Sequence, residues 1–289
     1  MKHKNLLIDV NNVVWKIRYL QKLSKTKKES HVTQLIFLKT LEEMNRYFKY
    51  FQGQGVLCAF EGKGNWRRSH YSDYKNREND DLYYGDIQEA IKLLKKFLKE
   101  YTSVKVVSVE KAEADDVIAV ACQEKDKDIH NVILSSDKDF VQLLVNPNVT
   151  LYSSQKDEQR DTPDPEYDLF LKCIRGDPSD NIYSAYPRVR KTKIEEAFYG
   201  DSMGHMNFME TVNKDGSKVG DRFNENSLMI DLRKQPQSLR DAIETELNDP
   251  TVGSYSQVEV MKFAKENSVT KLGELAMKGE FTQMFRSTF

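Results

Sequence analysis

The chain has 289 residues, with 44 Lys and Arg against 45 Asp and Glu, a formal net charge of -1 and 31% charged residues. That length predicts one large or two modest domains with their own cores, and the balanced charge leaves any partnership with nucleic acid to be decided by local distribution. Three scattered cysteines, Cys58, Cys122 and Cys173, fit neither a zinc site nor a secreted disulfide framework, and imply a reducing, cytoplasmic setting. Asp9, Asn11 and Asn12 interrupt the apolar start before a signal-peptide core forms, and no stretch reaches the roughly 20 apolar residues of a membrane span.

In chain order, short apolar runs predict strands at Leu6 to Val10, Val56 to Phe60, Lys105 to Val109, Val132 to Leu134 and Val149 to Tyr152. Between them, helical spacing covers Val32 to Phe51, Asp86 to Tyr101, Asp115 to Glu124 and Lys138 to Leu144. This alternation predicts an α/β fold with a mostly parallel central sheet and helices on both faces. The polar stretch from Ser153 to Pro165 predicts a boundary between an α/β domain at 1–160 and a smaller helical C-terminal domain at 161–289. Helical spacing continues there over Tyr167 to Ile174, Lys193 to Tyr199, Leu239 to Leu247 and Val258 to Phe263. The segment at 62–85 is basic and aromatic, with Lys63, Arg67, Arg68, Lys75 and Arg77 interleaved with Trp66, Tyr71 and Tyr74, and it reads as an excursion from the sheet.

The acids carry the functional signal. Asp9 closes the first strand, Glu61 follows the second, Glu113, Asp115 and Asp116 follow the third, and Asp137 and Asp139 follow the fourth. Ligands of doubly wound sheets sit beyond the carboxyl ends of the strands, so these acids are expected to converge on one crevice, joined by Asp177 and Asp180 of the Gly176-Asp-Pro-Ser-Asp-Asn181 turn. Any one of them has a bland reading as a helix cap, Asp115 or Asp116 above all. Together, so many carboxylates need divalent cations, and an oxygen-only set favours magnesium or manganese over zinc. Such ions suit phosphoryl chemistry, with phosphate contacts from the basic segment and base stacking on its rings. No phosphate-binding Gly-rich loop and no nucleophile elbow is present.

At these residues the chain resembles the flap endonuclease and 5′-exonuclease family, in particular its phage ribonuclease H-type 5′-nucleases. The resemblance rests on Leu6-Leu-Ile-Asp-Val10, Ala59-Phe-Glu-Gly62, Trp66-Arg-Arg68, Tyr74-Lys-Asn-Arg77, Glu113-Ala-Asp-Asp116, Ser135-Ser-Asp-Lys-Asp-Phe140 and Gly176 to Asn181. It implies a PIN-like nuclease domain that cuts 5′ ends and flaps of DNA/DNA or RNA/DNA duplexes, as in removal of RNA primers during phage replication. It also implies two Mg2+ ions, with Mn2+ as substitute. Asp9, Glu61, Glu113, Asp115 and Asp116 would hold the first, and Asp137, Asp139, Asp177 and Asp180 the second. Lys75 and Arg77 would meet the scissile phosphate, and Lys63, Trp66, Arg67, Arg68 and Tyr74 would touch nucleic acid. Where the family has a glycine-rich turn, Pro187 to Lys193 offers Arg188, Arg190, Lys191 and Lys193 as backbone-binding charges.

The apolar closing segment, Phe281 to Phe289, is a candidate for docking on a sliding clamp or a single-strand DNA-binding protein, against the alternative of a last helix packed on its own domain. Two rival functions are a single-strand ribonuclease on the same carboxylate-lined sheet and a branched-DNA-binding accessory protein with little turnover.

Overall fold

The structure, a computed structural model, describes residues 3–23, 29–76, 80–123 and 128–289. Its frame is a six-stranded sheet of β1 (His3–Asp9), β2 (Gly55–Ala59), β3 (Lys105–Val107), β4 (Ile129–Leu134), β5 (Val149–Ser153) and β6 (Glu158–Arg160). The order is β3-β2-β1-β4-β5-β6, parallel throughout except for the antiparallel β5–β6 pair. From β1 the chain walks outward to β3, then returns to β4 on the other side of β1 and walks outward again. Strand order therefore reverses between β1 and β4, and the ends of those two strands flank the crevice that binds ligands in such sheets.

The strands are continuous apolar runs because both faces are covered. Alternation divides each run between two cores. Leu6, Ile8, Val56, Cys58 and Leu134 point into one; Leu7, Leu57, Ala59 and Ile133 point into the other. The first core takes α1 (Val10–Leu20), α2 (Val32–Phe51) and α4 (Tyr84–Tyr101), while the short α3 (Arg67–His70) lies near the strand ends. The second takes α5 (Ala114–Ala121) and the 3-10 turn at Asp139–Val145, where the sequence predicted a regular helix.

The second half differs from expectation. Helices α6 (Pro165–Arg175), α7 (Lys191–Tyr199), α8 (Ser202–Met209) and α9 (Val219–Ile230) build a core of their own around Tyr167, Phe170, Ile174, Ile194 and Phe208. The chain then returns to the sheet. Leu239 and Ile243 of α10 (Gln237–Asn248) enter the α5 core. Helices α11 (Gln257–Glu266), α12 (Thr270–Met277) and α13 (Thr282–Phe285) put Phe263, Leu272, Met284 and Phe285 into the α2–α4 core. The helical unit thus covers only the middle of residues 161–289, and the rest completes the α/β layers.

The closing segment is packed on its own fold from Phe281 to Phe285. Phe281, Met284 and Phe285 are buried, and the Phe285 carbonyl accepts from Ser103 N at 2.7 Å. Burying each such side chain contributes about 1.5–3 kcal/mol, which sets the segment's place without an outside partner.

Candidate active site: two acid clusters at the sheet edge

Asp9 ends β1 and caps α1: its Oδ1 accepts from Asn12 N at 3.1 Å, and its Oδ2 from Ser135 Oγ, just past β4, at 3.0 Å. One side chain thereby ties together the two strands that flank the crevice. Beyond β2, Gly62 lies so near the loop after β3 that a Cβ would meet the Val109 carbonyl oxygen at 1.8 Å; only glycine lets Glu61 stand beside the next group of acids.

That group opens α5. Carboxylate oxygens of Glu113, Asp115 and Asp116 lie within 4.8 Å of one another. Asp116 is wholly buried, and five donors engage it, Gln235 Nε2 among them at 3.3 Å. Arg67 Nη1 and Nη2 reach its two oxygens at 3.0 and 2.9 Å, Trp66 Nε1 donates at 3.1 Å, and Glu113 N at 3.0 Å in the manner of a capping box. Arg67 Nη1 also donates to Glu113 Oε2 at 2.8 Å, and Arg67 Nε to the Met229 carbonyl of α9 at 2.8 Å. Tyr74 Oη donates to Glu113 at 3.0 Å.

A second group comes from Asp139, Asp177 and Asp180, whose carboxylate oxygens again lie within 4.8 Å of one another. Gly176, at φ +71°, ends α6 and packs against the Ile182 carbonyl where a Cβ would intrude at 2.4 Å, which turns the chain so that Asp177 and Asp180 face Asp139. Lys172, in the last turn of α6, bonds Asp139 and lies 2.8 Å from Asp177. Between the groups stands Lys75, 2.5 Å from Glu113 Oε1 and 3.9 Å from Asp180 Oδ2. Its own peptide N–H donates to the Asp180 carbonyl at 3.2 Å.

The electrostatics record crowded acids. Burial, with Asp137 adding to it, lifts Asp9 to about 6 despite its hydrogen bonds from Asn12 and Ser135. Glu61 is exposed as a residue yet crowded by protein, and desolvation first and Glu113 second push it to about 8. Asp115 is raised well above its ordinary range by burial and then by Glu113. Asp139 is also raised, by burial and Asp137. Asp177 resists its own desolvation because Lys172 and Ser179 bond its charged form, and it falls to about 2. Burial opposes the Lys75 ammonium, but Glu113 and the neighbouring acids outweigh it and hold the amine well above its usual value.

The structure gathers Glu113, Asp115 and Asp116 in one group and Asp139, Asp177 and Asp180 in another, with Lys75 between them; Asp9, Glu61 and Asp137 belong to neither group. Other expectations need correction. Trp66, Arg67 and Tyr74 are turned inward, 4%, 1% and 3% exposed, so in this conformation they hold the acids and cannot stack on bases or pair with phosphates. Residues 62–76 are accordingly folded against the sheet edge. Lys63 and Arg68 are exposed, and Arg68 spends its guanidinium on the Tyr74 and Lys75 carbonyls. Arg77 lies outside the described residues. Arg188, Arg190, Lys191 and Lys193 stand exposed at the start of α7, a separate basic edge. Lys172 escaped the sequence reading; its signal was a cation one helical turn before the Gly176 to Asn181 turn.

The residues fit divalent ions. The donor set is all oxygen, Asp115 Oδ1 is buried with no hydrogen-bond partner, and the raised carboxyls of Asp9, Glu61 and Asp115 mark negative charge that the protein leaves uncompensated. Among the described residues, no helix is long and apolar enough to cross a membrane.

The model of the 5′-3′ exonuclease N-terminal, resolvase-like domain matches residues 4–167. Ribonuclease H of enterobacteria phage T4 is 30% identical over 214 residues, which cover 64% of this chain and 66% of that protein. The flap endonuclease Xni of Pseudoalteromonas translucida is 24% identical over 245 residues, 81% of this chain and 87% of its own. Among solved structures, a bacteriophage T5 flap endonuclease in a complex with DNA and metal ions superposes with a TM-score of 0.60 at 16% identity, covering 94% of this chain and all of that one. Human GEN1 with Holliday-junction DNA superposes with a TM-score of 0.54 at 12% identity, over 97% of this chain and 72% of its own. At those identities the two structures establish the fold.

Proposed function

Because the chain belongs to the 5′-3′ exonuclease family, we propose that it is a metal-dependent 5′-nuclease that hydrolyses phosphodiester bonds at 5′ ends and flaps of DNA/DNA or RNA/DNA duplexes. The observation that carries this reading is the pair of oxygen-only acid clusters on either side of Lys75, at the crevice where the strand order reverses. The proposed setting is the cytoplasm, and the proposed role is removal of RNA primers in phage DNA replication, in keeping with the phage T4 relative.

Asp9, Glu61, Glu113 and Asp115 would hold one Mg2+ or Mn2+, and Asp137, Asp139, Asp177 and Asp180 the other. Bound divalent ions lower the pKa of an attacking water and stabilise the leaving oxygen. The protein's own part is positioning. Asp116, with both oxygens committed to Arg67, fixes the direction of Glu113. Lys75 places a full positive charge between the clusters, where a phosphate gains negative charge during cleavage, and its raised pKa keeps it protonated there. Lys172 holds Asp139 and Asp177 together with its ammonium. The exposed Arg188, Arg190, Lys191 and Lys193 would take duplex phosphates away from the reacting bond.

The test is cleavage of a 5′-labelled flap duplex in magnesium, with and without chelator, by wild type and Asp137→Asn. Short 5′ products that require both magnesium and Asp137 are expected. Tight binding without cleavage would overturn the nuclease assignment in favour of an accessory DNA-binding protein. Cleavage of single strands that a downstream duplex does not stimulate would favour a ribonuclease.

A further inference from the structure

The end of α9 and the connection that leaves it, Met229 to Gln235, reach both acid clusters at once. On one side the Met229 carbonyl accepts from Arg67 Nε at 2.8 Å, and Gln235 Nε2 donates to the Asp116 carbonyl at 3.1 Å and to its Oδ1 at 3.3 Å. On the other side Gln142, in the 3-10 turn that carries Asp139, makes the join. Its Nε2 donates to the Asp139 carbonyl at 2.8 Å and to the Ile230 carbonyl at 3.1 Å, and its Oε1 accepts from Leu232 N at 2.8 Å. A third tie comes from within α9: Asn226 Nδ2 donates to the Cys173 and Tyr183 carbonyls, both at 2.8 Å, on either side of the turn that bears Asp177 and Asp180.

Gln142, Asn226 and Gln235 are all buried. A single buried amide often does no more than satisfy loose main-chain groups. Here three of them join one connection to three acid-bearing segments. The connection itself is pinned at both ends, with Met229 and Ile230 packed beside Leu169 and Ile182, and Leu232 in the α5 core. Nor do the cations duplicate this work. Lys172 meets the carboxylate of Asp139, which turns about its own side-chain bonds, whereas Gln142 meets the main chain on which that carboxylate is mounted. Hydrolysis with two ions depends on where each sits relative to the other, and partners behind the ligands set that geometry.

We infer that Gln142 is a positioning residue: it ties the Asp139 main chain to the connection that also holds Arg67 and Asp116, and so sets the spacing between the two acid clusters. The inference deepens the metal-dependent nuclease reading and rests on it. Gln235 does the corresponding work at Asp116. The distance between the clusters is thereby a property of residues 229–235 and not of whichever ions arrive.

The experiment titrates the full chain, without DNA, with Mn2+ followed by electron paramagnetic resonance of the free ion, and measures flap cleavage in magnesium. Wild type is compared with Gln142→Met, which keeps the length of the side chain and loses its amide, and with Val260→Ala, which truncates a buried residue of the core on the far face of the sheet. Gln142→Met is expected to weaken at least one Mn2+ roughly tenfold and to lower kcat by a similar factor, with the KM for the flap unchanged. Val260→Ala should lose stability and bind Mn2+ as wild type does. An ion affinity in Gln142→Met within about twofold of wild type overturns the assignment. So does an equal loss in Val260→Ala, which would make the effect one of general stability. Gln235→Met cuts the same connection at Asp116 and decides the question if Gln142→Met does not fold. Failure of the nuclease reading looks different: wild type would bind Mn2+ and cleave no flap, while the Mn2+ comparison would still decide the role of Gln142.

Discussion

The two acid clusters use similar residues under opposite regimes. Around Glu113 and Asp116 the protein has placed its own buried guanidinium, an indole N–H and a tyrosine hydroxyl, so the group is fixed before anything binds. Around Asp139, Asp177 and Asp180 the described compensation is mainly Lys172, a flexible ammonium at a part-exposed edge. Where charge is deep, geometry must be set by partners of fixed shape; nearer the surface, water and ions share the task. One cluster is organised by buried partners of fixed shape, the other by a single part-exposed ammonium.

The largest expected effect breaks the first regime. Arg67→Met leaves Glu113 and Asp116 buried without their shared cation, and should destabilise the fold by about 3–5 kcal/mol in chemical denaturation. A loss below about 1 kcal/mol would show that Arg67 is not what holds this cluster.

Next in size is pH. Asp9, Glu61 and Asp115 all have folded-state pKa values above their unfolded ones. The folded protein then binds more protons than the unfolded chain, and stability falls as pH rises through the window from about 4 to about 8. Asp9 alone accounts for about 3 kcal/mol of that fall. Metal-free protein should therefore melt at a lower temperature at pH 8 than at pH 5.5, and added Mg2+ should raise the midpoint more at pH 8. Equal midpoints at the two pH values, with equal gains from Mg2+, would contradict the uncompensated charge of the site.

Lys75 joins the regimes. Lys75→Ala should slow cleavage about a hundredfold, an effect of about 2.7 kcal/mol, with flap affinity changed far less. Equal losses in both would make it a docking charge only.

The smallest effect sharpens the contrast. Lys172→Met should cost no more than about 1 kcal/mol of stability, because its partners stay partly hydrated. The Asp177 carboxyl, now near 2, should rise toward the ordinary range in an NMR titration. A cost as large as that of Arg67→Met would erase the distinction between the clusters.

Much of the frame was legible in the sequence because it is local. Apolar runs ended by acids gave the strands of the parallel sheet, and the sheet's topology then carried Asp9, Glu113 and Asp139 toward one edge. Helix α1 went unread because Asn11 and Asn12 interrupt its apolar residues directly after a strand. Strand β6 went unread because Glu-Gln-Arg at a sheet edge needs no apolar alternation. Trp66, Arg67 and Tyr74 looked like surface because their partners, Glu113 and Asp116, lie far along the chain and meet them only in the fold. For the same reason the sequence marked helices beyond Leu239 but not the core they would fill.

That last arrangement also bears on how the molecule is made. The helices of residues 257–285 close the layer over strands synthesised first, with Asn45 held by the Glu280 carbonyl and Ser103 by that of Phe285. A ribosome-bound chain therefore exposes the underside of its own sheet until those residues emerge, and such distant pairings fold slowly. The acidic edge itself waits for Asp177, Asp180 and the Met229 carbonyl, and the helices that cover the other face of the sheet come later still in the chain.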